Sequence, residues 1–291
     1  MSSLKGKAVV VTGAGRGLGA AFAAHLARAG AAVVVNDIDR DEAELTAAGI
    51  RAEGGRAAVS GHSVADPAGA EAIVALCADE FGAVDGLVNN AGVNYEVLPW
   101  DDEPERVRAL IEVNVLGVLY TGMAAIRRMR GRGGAIVNIS SGASLGQRTL
   151  GAYSASKGAV SSLTYSWALD LEDSGIRVNA VCPLAHTRMV RNSPRASKVT
   201  GPDKRPDLVA PLVHYLLDER SAGITGQVVR CTGTELHVVG QPMFKPPILR
   251  RDEWDVDSVD LAFAEVLGGH LEPYGLEKRM PPKLRKWLAP A

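Results

Sequence analysis

Tyr153 and Lys157 stand four residues apart in a stretch, Tyr153–Ser174, whose pattern predicts a helix stopped by Gly175. Side chains at that spacing share one helix face. A phenol, with an ordinary pKa of about 10, is a poor base at neutral pH. An ammonium one turn away stabilises the phenolate, and such a pair can exchange a proton with a substrate oxygen. A serine hydroxyl would hold that oxygen as charge develops on it. Ser140 and Ser141 both close the apolar run Ala135–Ser140. Their side chains point to opposite faces of a strand, so one alone faces the tyrosine unless the strand has already ended.

A second group lies near the start of the chain. Thr12–Gly19 reads TGAGRGLG between a predicted strand, Lys7–Thr12, and a predicted helix, Leu18–Arg28. Glycines there permit a tight turn and close approach of backbone N–H groups to a pyrophosphate, and the helix N-terminus adds a partial positive charge. Asp37 follows the second predicted strand, Ala32–Asn36. A carboxylate at that place accepts hydrogen bonds from a ribose 2′-OH and repels a 2′-phosphate, which favours NAD over NADP. Arg16 and Arg40 are the counter-argument, since a nearby guanidinium can hold a phosphate. Asp37 also reads as a helix N-cap.

The elements that must position these groups alternate. Further strands are predicted over Ala57–Ser63, Val84–Asn89, Ala135–Ser140, Ile176–Cys182 and Gln227–Cys231. Helices are predicted over Arg40–Glu53, from Pro67 behind an Asp66 cap to Phe81, from Pro104 to Arg130, and over Asp207–Leu217. Val/Ile-rich strands joined by helices imply a parallel sheet covered on both faces. The expected fold is α/β: a doubly wound, Rossmann-like sheet of seven strands with order 3-2-1-4-5-6-7. Residues 1–235 form this dinucleotide-binding and catalytic domain. Residues 236–291 form a C-terminal extension packed on it or on a neighbouring subunit, with an amphipathic helix at Val256–Leu267. The polar, basic segment 184–206 follows the sixth strand, at the carboxyl edge where ligands bind.

Composition narrows the function. A net charge of -1 over 291 residues carries no basic excess of the nucleic-acid-binding kind. No signal peptide is read at the N-terminus, and no apolar run approaches the roughly 18 residues that span a bilayer. Neither nucleic acid nor membrane is therefore an expected partner. Cys77, Cys182 and Cys231 give no disulfide framework or paired zinc spacing and fit a reducing, cytoplasmic setting. The six histidines show no metal-ligand spacing, so no metal is expected.

These residues resemble the short-chain dehydrogenase/reductase family across roughly residues 4–235. Gly13, Gly17 and Gly19 match its Gly-x-x-x-Gly-x-Gly turn, Asn89-Asn90-Ala91-Gly92 its NNAG, and Asn114 its helix-four asparagine. Tyr153 and Lys157 match its YxxxK, and Ile176–Pro183 its strand-six segment. The resemblance implies a hydride-transferring enzyme that interconverts a secondary alcohol and a ketone with NAD(H), with Tyr153 as general acid/base. Lys157 would also hold the nicotinamide ribose, and Asn114 would anchor a water linking Lys157 to solvent. Arg16, Leu18, Ser63, Val64, Asn90, Ala91, Gly92, Pro183 and Thr187 join Gly13, Gly17, Gly19, Asp37, Tyr153 and Lys157 as cofactor contacts.

Several departures matter. In the family pattern the catalytic serine is usually the second of a pair and thirteen residues before the tyrosine. Here Ser141 is second but twelve residues before it, and Ser140 is thirteen before it. Strand position is better determined than loop length, so Ser141 is preferred, with Ser140 the alternative. Ser63-Val64 replaces the family's usual Asp-Val, and Pro183-Leu184 its Pro-Gly. PLAHTRM and VVVND resemble the dehydrogenase units of multifunctional β-oxidation enzymes and their bacterial relatives, which implies a hydroxyacyl, steroid or polyketide-like substrate. His186 reads either as a loop histidine or as a substrate contact. Family habit implies a homodimer or homotetramer. Two rivals stand beside this reading: a non-catalytic dinucleotide-binding regulator, and an enzyme doing net non-redox chemistry with a recycled cofactor. The extension either makes subunit or solvent contacts or covers the substrate mouth.

Overall fold

The computed structural model describes residues 4–191 and 200–288. The N-terminal half alternates strand and helix: β1 (Ala8–Thr12), α1 (Gly17–Arg28), β2 (Ala32–Asn36), α2 (Arg40–Ala52), β3 (Arg56–Ser60), α3 (Pro67–Phe81) and β4 (Gly86–Asn89). α4 (Pro104–Ile111) and α5 (Gly117–Met129) precede β5 (Gly134–Ile139). α6 (Gly151–Asp170), β6 (Ile176–Pro183), the single turn α7 (Arg188–Arg191), α8 (Ala210–Leu217) and β7 (Val228–Cys231) complete the predicted rhythm. The extension contributes β8 (Leu236–Val238), α9 (Val256–Glu265) and α10 (Pro282–Leu288).

The sheet order is β3-β2-β1-β4-β5-β6-β7-β8. The first seven strands are parallel, and the central ones are largely apolar runs covered on both faces. β1 makes the point: Val9 and Val11 join Phe22, Leu26, Val33 and Val35 in one core, while Ala8 and Val10 join Val34, Ile73, Leu87 and Ile136 in the other. β8 pairs antiparallel with β7, so the extension begins by adding an eighth strand that the expected seven did not include.

The predicted continuous helix from Pro104 to Arg130 is interrupted. Glu112–Leu116 forms a π-turn between α4 and α5. The extra residue in that turn swings Asn114 fully into the interior, a use of π-turns common at functional sites. By length and composition alone the stretch Pro104–Met129 could cross a bilayer, but much of it is buried inside the fold. Thr121, Ala125 and Met129 on α5 face the sheet and α3, while α4 and the π-turn, with buried Leu110 and Asn114, pack on α6, so the stretch is a core helix.

Candidate active site

β1, β2, β4, β5 and β6 end on one edge of the sheet, and a cleft of about 1100 Å³ runs along it. The glycine turn forms one end. Gly13 and Gly17 adopt φ of +62° and +58°, where a Cβ is strained. A Cβ on Gly13 would lie 2.8 Å from the Ala91 Cα, and one on Gly19 would run into the Gly13 carbonyl. α1 starts without a side-chain cap, so its first-turn N–H groups stay open toward the cleft. Such a cradle fits a pyrophosphate.

Side chains behind the turn hold it. Thr12 Oγ1 accepts the N–H groups of Asn90 and Ala91 at 3.0 and 3.1 Å, and Asn90 Nδ2 donates to the carbonyls of Thr12 and Gly13, both at 2.9 Å. Asn90 thus braces the turn from behind as well as lining the cleft. Thr12, which opens the motif, was not among the predicted site residues; its signal is a hydroxyl at the end of an apolar strand.

Asp37 sits at the cleft wall with Oδ2 accepting the Gly15 N–H at 3.0 Å and Oδ1 accepting the Asp39 N–H at 3.0 Å. The α2 cap is Asp39, not Asp37. Arg16 lines the cleft, but its guanidinium is ion-paired with Asp39 and with Glu42, the latter at 2.9 Å. Leu18, Ser63, Val64 and Gly92 line the same space. Val64 also packs where a Cβ on Gly117 would sit, which fixes the loop before α3 against the π-turn.

At the other end the structure brings together Ser141, Tyr153 and Lys157. Ser140 turns away: its buried hydroxyl meets the Lys157 carbonyl at 3.0 Å and Ser161 Oγ at 2.8 Å. Ser141 lies just past β5, capping a short turn through the Ala143 N–H at 3.1 Å, and its hydroxyl also interacts with the Tyr153 phenol. Lys157 Nζ is 5.8 Å from the Tyr153 ring centre and donates to the Ile139 carbonyl at 2.8 Å. Asn114 accepts the Val93 N–H at 2.8 Å and donates to the Val93 carbonyl at 2.9 Å and to Ser156 Oγ at 3.1 Å. A Cβ on Gly92 would come within 3.2 Å of Asn114 Oδ1 and 3.5 Å of Lys157 Nζ, so the glycine keeps the space between them narrow but open.

Burial dominates the electrostatics of this pair in the cofactor-free protein. Burial pushes the Tyr153 phenol up to about 12, against a smaller opposing pull from its hydrogen bond with Ser141. Burial pushes the Lys157 ammonium down to about 8. Desolvation is the largest influence on both groups. The physical reason is that Lys157 lies under the cleft floor, with its proton directed at a backbone carbonyl rather than at the phenol.

The post-β6 loop closes the cleft. Pro183 and Thr187 line it, and the Thr187 methyl group lies 3.6 Å from where a Cβ on Gly17 would be, tying the loop to the glycine turn. His186 donates its backbone N–H to the Lys204 carbonyl at 2.6 Å, and its Nδ1 lies 3.0 Å from the Thr200 carbonyl. It thereby joins the two ends of segment 184–206 while also facing the cleft. Residues 192–199 of that segment lie outside the described residues. Among the cleft residues that sequence reasoning missed are Arg230 on β7 and Leu276 in the extension. The Leu276 N–H donates to the Gly146 carbonyl at 2.7 Å, which docks the extension beside the Ser141 turn. For Leu276 no local pattern signals the contact. For Arg230 the signal was a charge inside an apolar strand.

A doubly wound sheet with a phosphate-cradling turn at one end of its cleft and a Ser/Tyr/Lys group at the other defines a dinucleotide-dependent oxidoreductase class. The comparisons agree. The short chain dehydrogenase family matches residues 7–198. A cis-4-hydroxycyclohexanecarboxylate dehydrogenase of Sinomonas cyclohexanicum is 38% identical over 239 residues, covering 78% of this chain and 95% of the relative. A short chain dehydrogenase from Mycobacterium avium superposes with a TM-score of 0.82 at 32% identity, covering 96% of this chain and 98% of its own. A gluconate 5-dehydrogenase from Burkholderia cenocepacia, solved with NADP and tartrate, gives a TM-score of 0.74 at 32% identity over 80% of this chain and 96% of its own. The chain belongs to the short-chain dehydrogenase/reductase family, oxidoreductases that bind a nicotinamide dinucleotide and act on CH–OH and C=O groups. The coverage of the Mycobacterium avium neighbour extends into residues 236–291.

Proposed function

We propose that this protein is an NAD(H)-dependent oxidoreductase interconverting a secondary alcohol and a ketone, with Tyr153 as general acid/base. The observation that carries the reading is the convergence of Ser141, Tyr153 and Lys157 at one end of a cleft whose other end is the glycine turn and Asp37. The Sinomonas relative, named for a hydroxycyclohexane substrate, supports a secondary alcohol.

The bound nicotinamide supplies or accepts the hydride. The chain does the rest. Ser141 donates to the substrate oxygen and steadies it as negative charge builds there. In the reducing direction the Tyr153 hydroxyl gives its proton to that oxygen, and in the oxidising direction the phenolate takes it back. Lys157, placed under the phenol, stabilises the phenolate left behind. Asn114 is pinned by Val93 and Ser156 beside the gap at Gly92, a position suited to passing protons between Lys157 and water.

Asp37 supports NAD over NADP. Its carboxylate, with Asp39 and Glu42 nearby, makes the wall of the ribose end acidic, and the same two neighbours neutralise Arg16. The NADP held by the Burkholderia neighbour is the opposing observation. Assembly as a homodimer or homotetramer belongs to the same reading. It is supported by a shallow apolar groove of Val115, Leu119, Val160 and Leu163 on the outer faces of the π-turn, α5 and α6. Three buried free thiols fit a reducing, cytoplasmic setting.

The test is hydride transfer by wild type and Tyr153→Phe across a panel of secondary alcohols and ketones, with 4-deuterated NADH to follow the label. Wild type should place deuterium on the carbinol carbon. Tyr153→Phe should lose turnover by about 10²–10⁴-fold while still binding NADH. Equal background rates in both proteins would favour a dinucleotide-binding regulator. Label recycled into a redox-neutral product would favour non-redox chemistry.

A further inference from the structure

The substrate end of the cleft contains a charge that neither the fold nor the proton relay uses. Arg230 lies on β7, in register with Cys182 on β6, and it lines the cleft half-buried. A charged side chain inside a strand otherwise made of Val and Cys is costly unless something satisfies it. Among the described residues its guanidinium has no hydrogen bond or ion pair. The carboxylate nearest in sequence, Glu235, takes the Thr232 hydroxyl instead, at 3.1 Å. Glu96, also on the cleft wall, is exposed and engaged in interactions of its own.

Its position relative to the reacting groups is defined. A Cβ placed on Gly142 would lie 2.5 Å from Arg230 Nη1. The guanidinium therefore lies directly against the residue that follows Ser141. Since consecutive Cα atoms are about 3.8 Å apart, it stands within the length of a small molecule of the Ser141 hydroxyl. On the other strand its charge reaches the Cys182 thiol, which also feels Lys157. Leu276 covers the same spot: its Cδ2 is 3.6 Å from the Gly142 Cβ position. Arg230 is thus a guanidinium with open donors beneath an apolar lid, one residue from the hydroxyl that would hold the substrate oxygen.

We propose that Arg230 anchors a carboxylate of the substrate, so that the alcohol or ketone handled at Ser141 and Tyr153 belongs to a compact, carboxylate-bearing molecule with an apolar body. This rests on the oxidoreductase reading above for the second half of the statement, not for the anchor itself. A planar guanidinium with free N–H groups takes a carboxylate through two parallel hydrogen bonds, a match that a neutral amide or ester cannot supply. Leu276 lies beside it, and Ile139, Leu150 and Leu184 line the same cleft, which suits an apolar body.

The experiment separates the two halves. Binding of cyclohexanecarboxylate and cyclohexanecarboxamide, neither of which carries a carbinol, is measured by calorimetry on the NADH-saturated protein. Wild type should prefer the carboxylate by at least about tenfold. Arg230→Gln should bring that ratio close to one, and Arg230→Lys should restore part of it. Gly142→Ala serves as a second variant, because its methyl group must push the guanidinium aside while Arg230 remains; it too should lower the ratio, and it decides the matter if Arg230→Gln fails to bind NADH. A wild-type ratio near one, or a full preference retained in Arg230→Gln or in Gly142→Ala, overturns the anchor. Turnover of hydroxy acids is scored separately. A carboxylate preference without hydride transfer would sink the oxidoreductase reading and leave the anchor standing.

Discussion

At the nucleotide end of the cleft nearly every group behind the glycine turn is tied to backbone. Thr12 takes two N–H groups, Asn90 serves two carbonyls, and Asp37 receives two more N–H groups. At the substrate end the walls include side chains from distant segments, Arg230 on β7 and Leu276 in the extension. The first end is a fixed socket for one ligand. The second is a set of replaceable surfaces on the same frame, which is how one fold carries many specificities. Tyr153 and Lys157 stand at the seam, and they bear the electrostatic cost of it.

That cost is the largest effect by which the contrast can be broken. Lys157 has a pKa of about 8 in the folded protein against 10.5 for the free side chain. The unfolded chain thus holds the proton more tightly. Below pH 8 the folded state carries the whole penalty, about 3 kcal/mol, and the penalty fades as pH rises toward the unfolded value. Tyr153 acts in the other sense. Its folded value of about 12 exceeds the free 10.0, so the unfolded chain ionises first and stability falls as pH climbs between those values. Urea unfolding of the cofactor-free protein should show Lys157→Met more stable than wild type at pH 7, by up to ~3 kcal/mol less the value of the lost bond to Ile139. The gap should narrow by pH 10. A gap that is flat over that interval would mean the ammonium is not strained, and the seam would be no different from either end.

Next in size is the brace. Thr12→Val keeps the shape of the side chain but leaves the Asn90 and Ala91 N–H groups without their acceptor. Unsatisfied buried donors cost about 1–3 kcal/mol each, and less where water can reach them. A loss of about 2 kcal/mol in unfolding free energy is expected, together with weaker NADH binding by fluorescence titration. Binding of carboxylates at the substrate end should not follow. Equal weakening at both ends would show that the two are one cooperative unit.

The same contrast explains what could be read from the sequence. Strand order, the glycine turn, Asp37 and the Tyr153/Lys157 pair were legible because each depends on neighbours in the chain: hydrophobic period, glycine at fixed offsets, four-residue helical spacing. Ser141 was a harder choice, since the loop count pointed to Ser140. The structure separates the two by where each hydroxyl points, into α6 for Ser140 and toward the phenol for Ser141. The π-turn at Glu112–Leu116 was invisible because a single extra residue leaves the apolar pattern of a helix nearly intact. The pull of burial on the phenol and the ammonium was not legible, because spacing reports proximity and not solvation. Leu276 lies some 130 positions from the loop it covers, and no short-range pattern carries such a contact.

A smaller effect sharpens the nucleotide end. Asp37→Ala removes a carboxylate that should repel a 2′-phosphate and accept a ribose hydroxyl. The ratio of kcat/KM with NAD to that with NADP should fall by about tenfold, or about 1.4 kcal/mol. Arg16 should not rescue NADP fully while Glu42 holds it; adding Glu42→Ala should extend the shift. A wild-type enzyme that already prefers NADP, or a ratio untouched by either change, would remove Asp37 from its assigned place.

The smallest effect tests whether the extension belongs to the substrate end at all. Leu276 is half-buried, with its backbone bonded to Gly146 and its side chain over Gly142. Leu276→Ala keeps the backbone bond and removes only part of a lid. At about 25 cal/mol per Å² of apolar surface, the loss should be near 1 kcal/mol, which raises the substrate KM about fivefold. NADH affinity should not move, because the lid covers the far side of the cleft from the glycine turn. Deleting the residues after 240 should do the same more strongly. If both variants leave KM and assembly unchanged, the extension is a passive cover. If NADH affinity falls with KM, the lid instead closes over both ends, and the division between a fixed socket and replaceable walls does not hold.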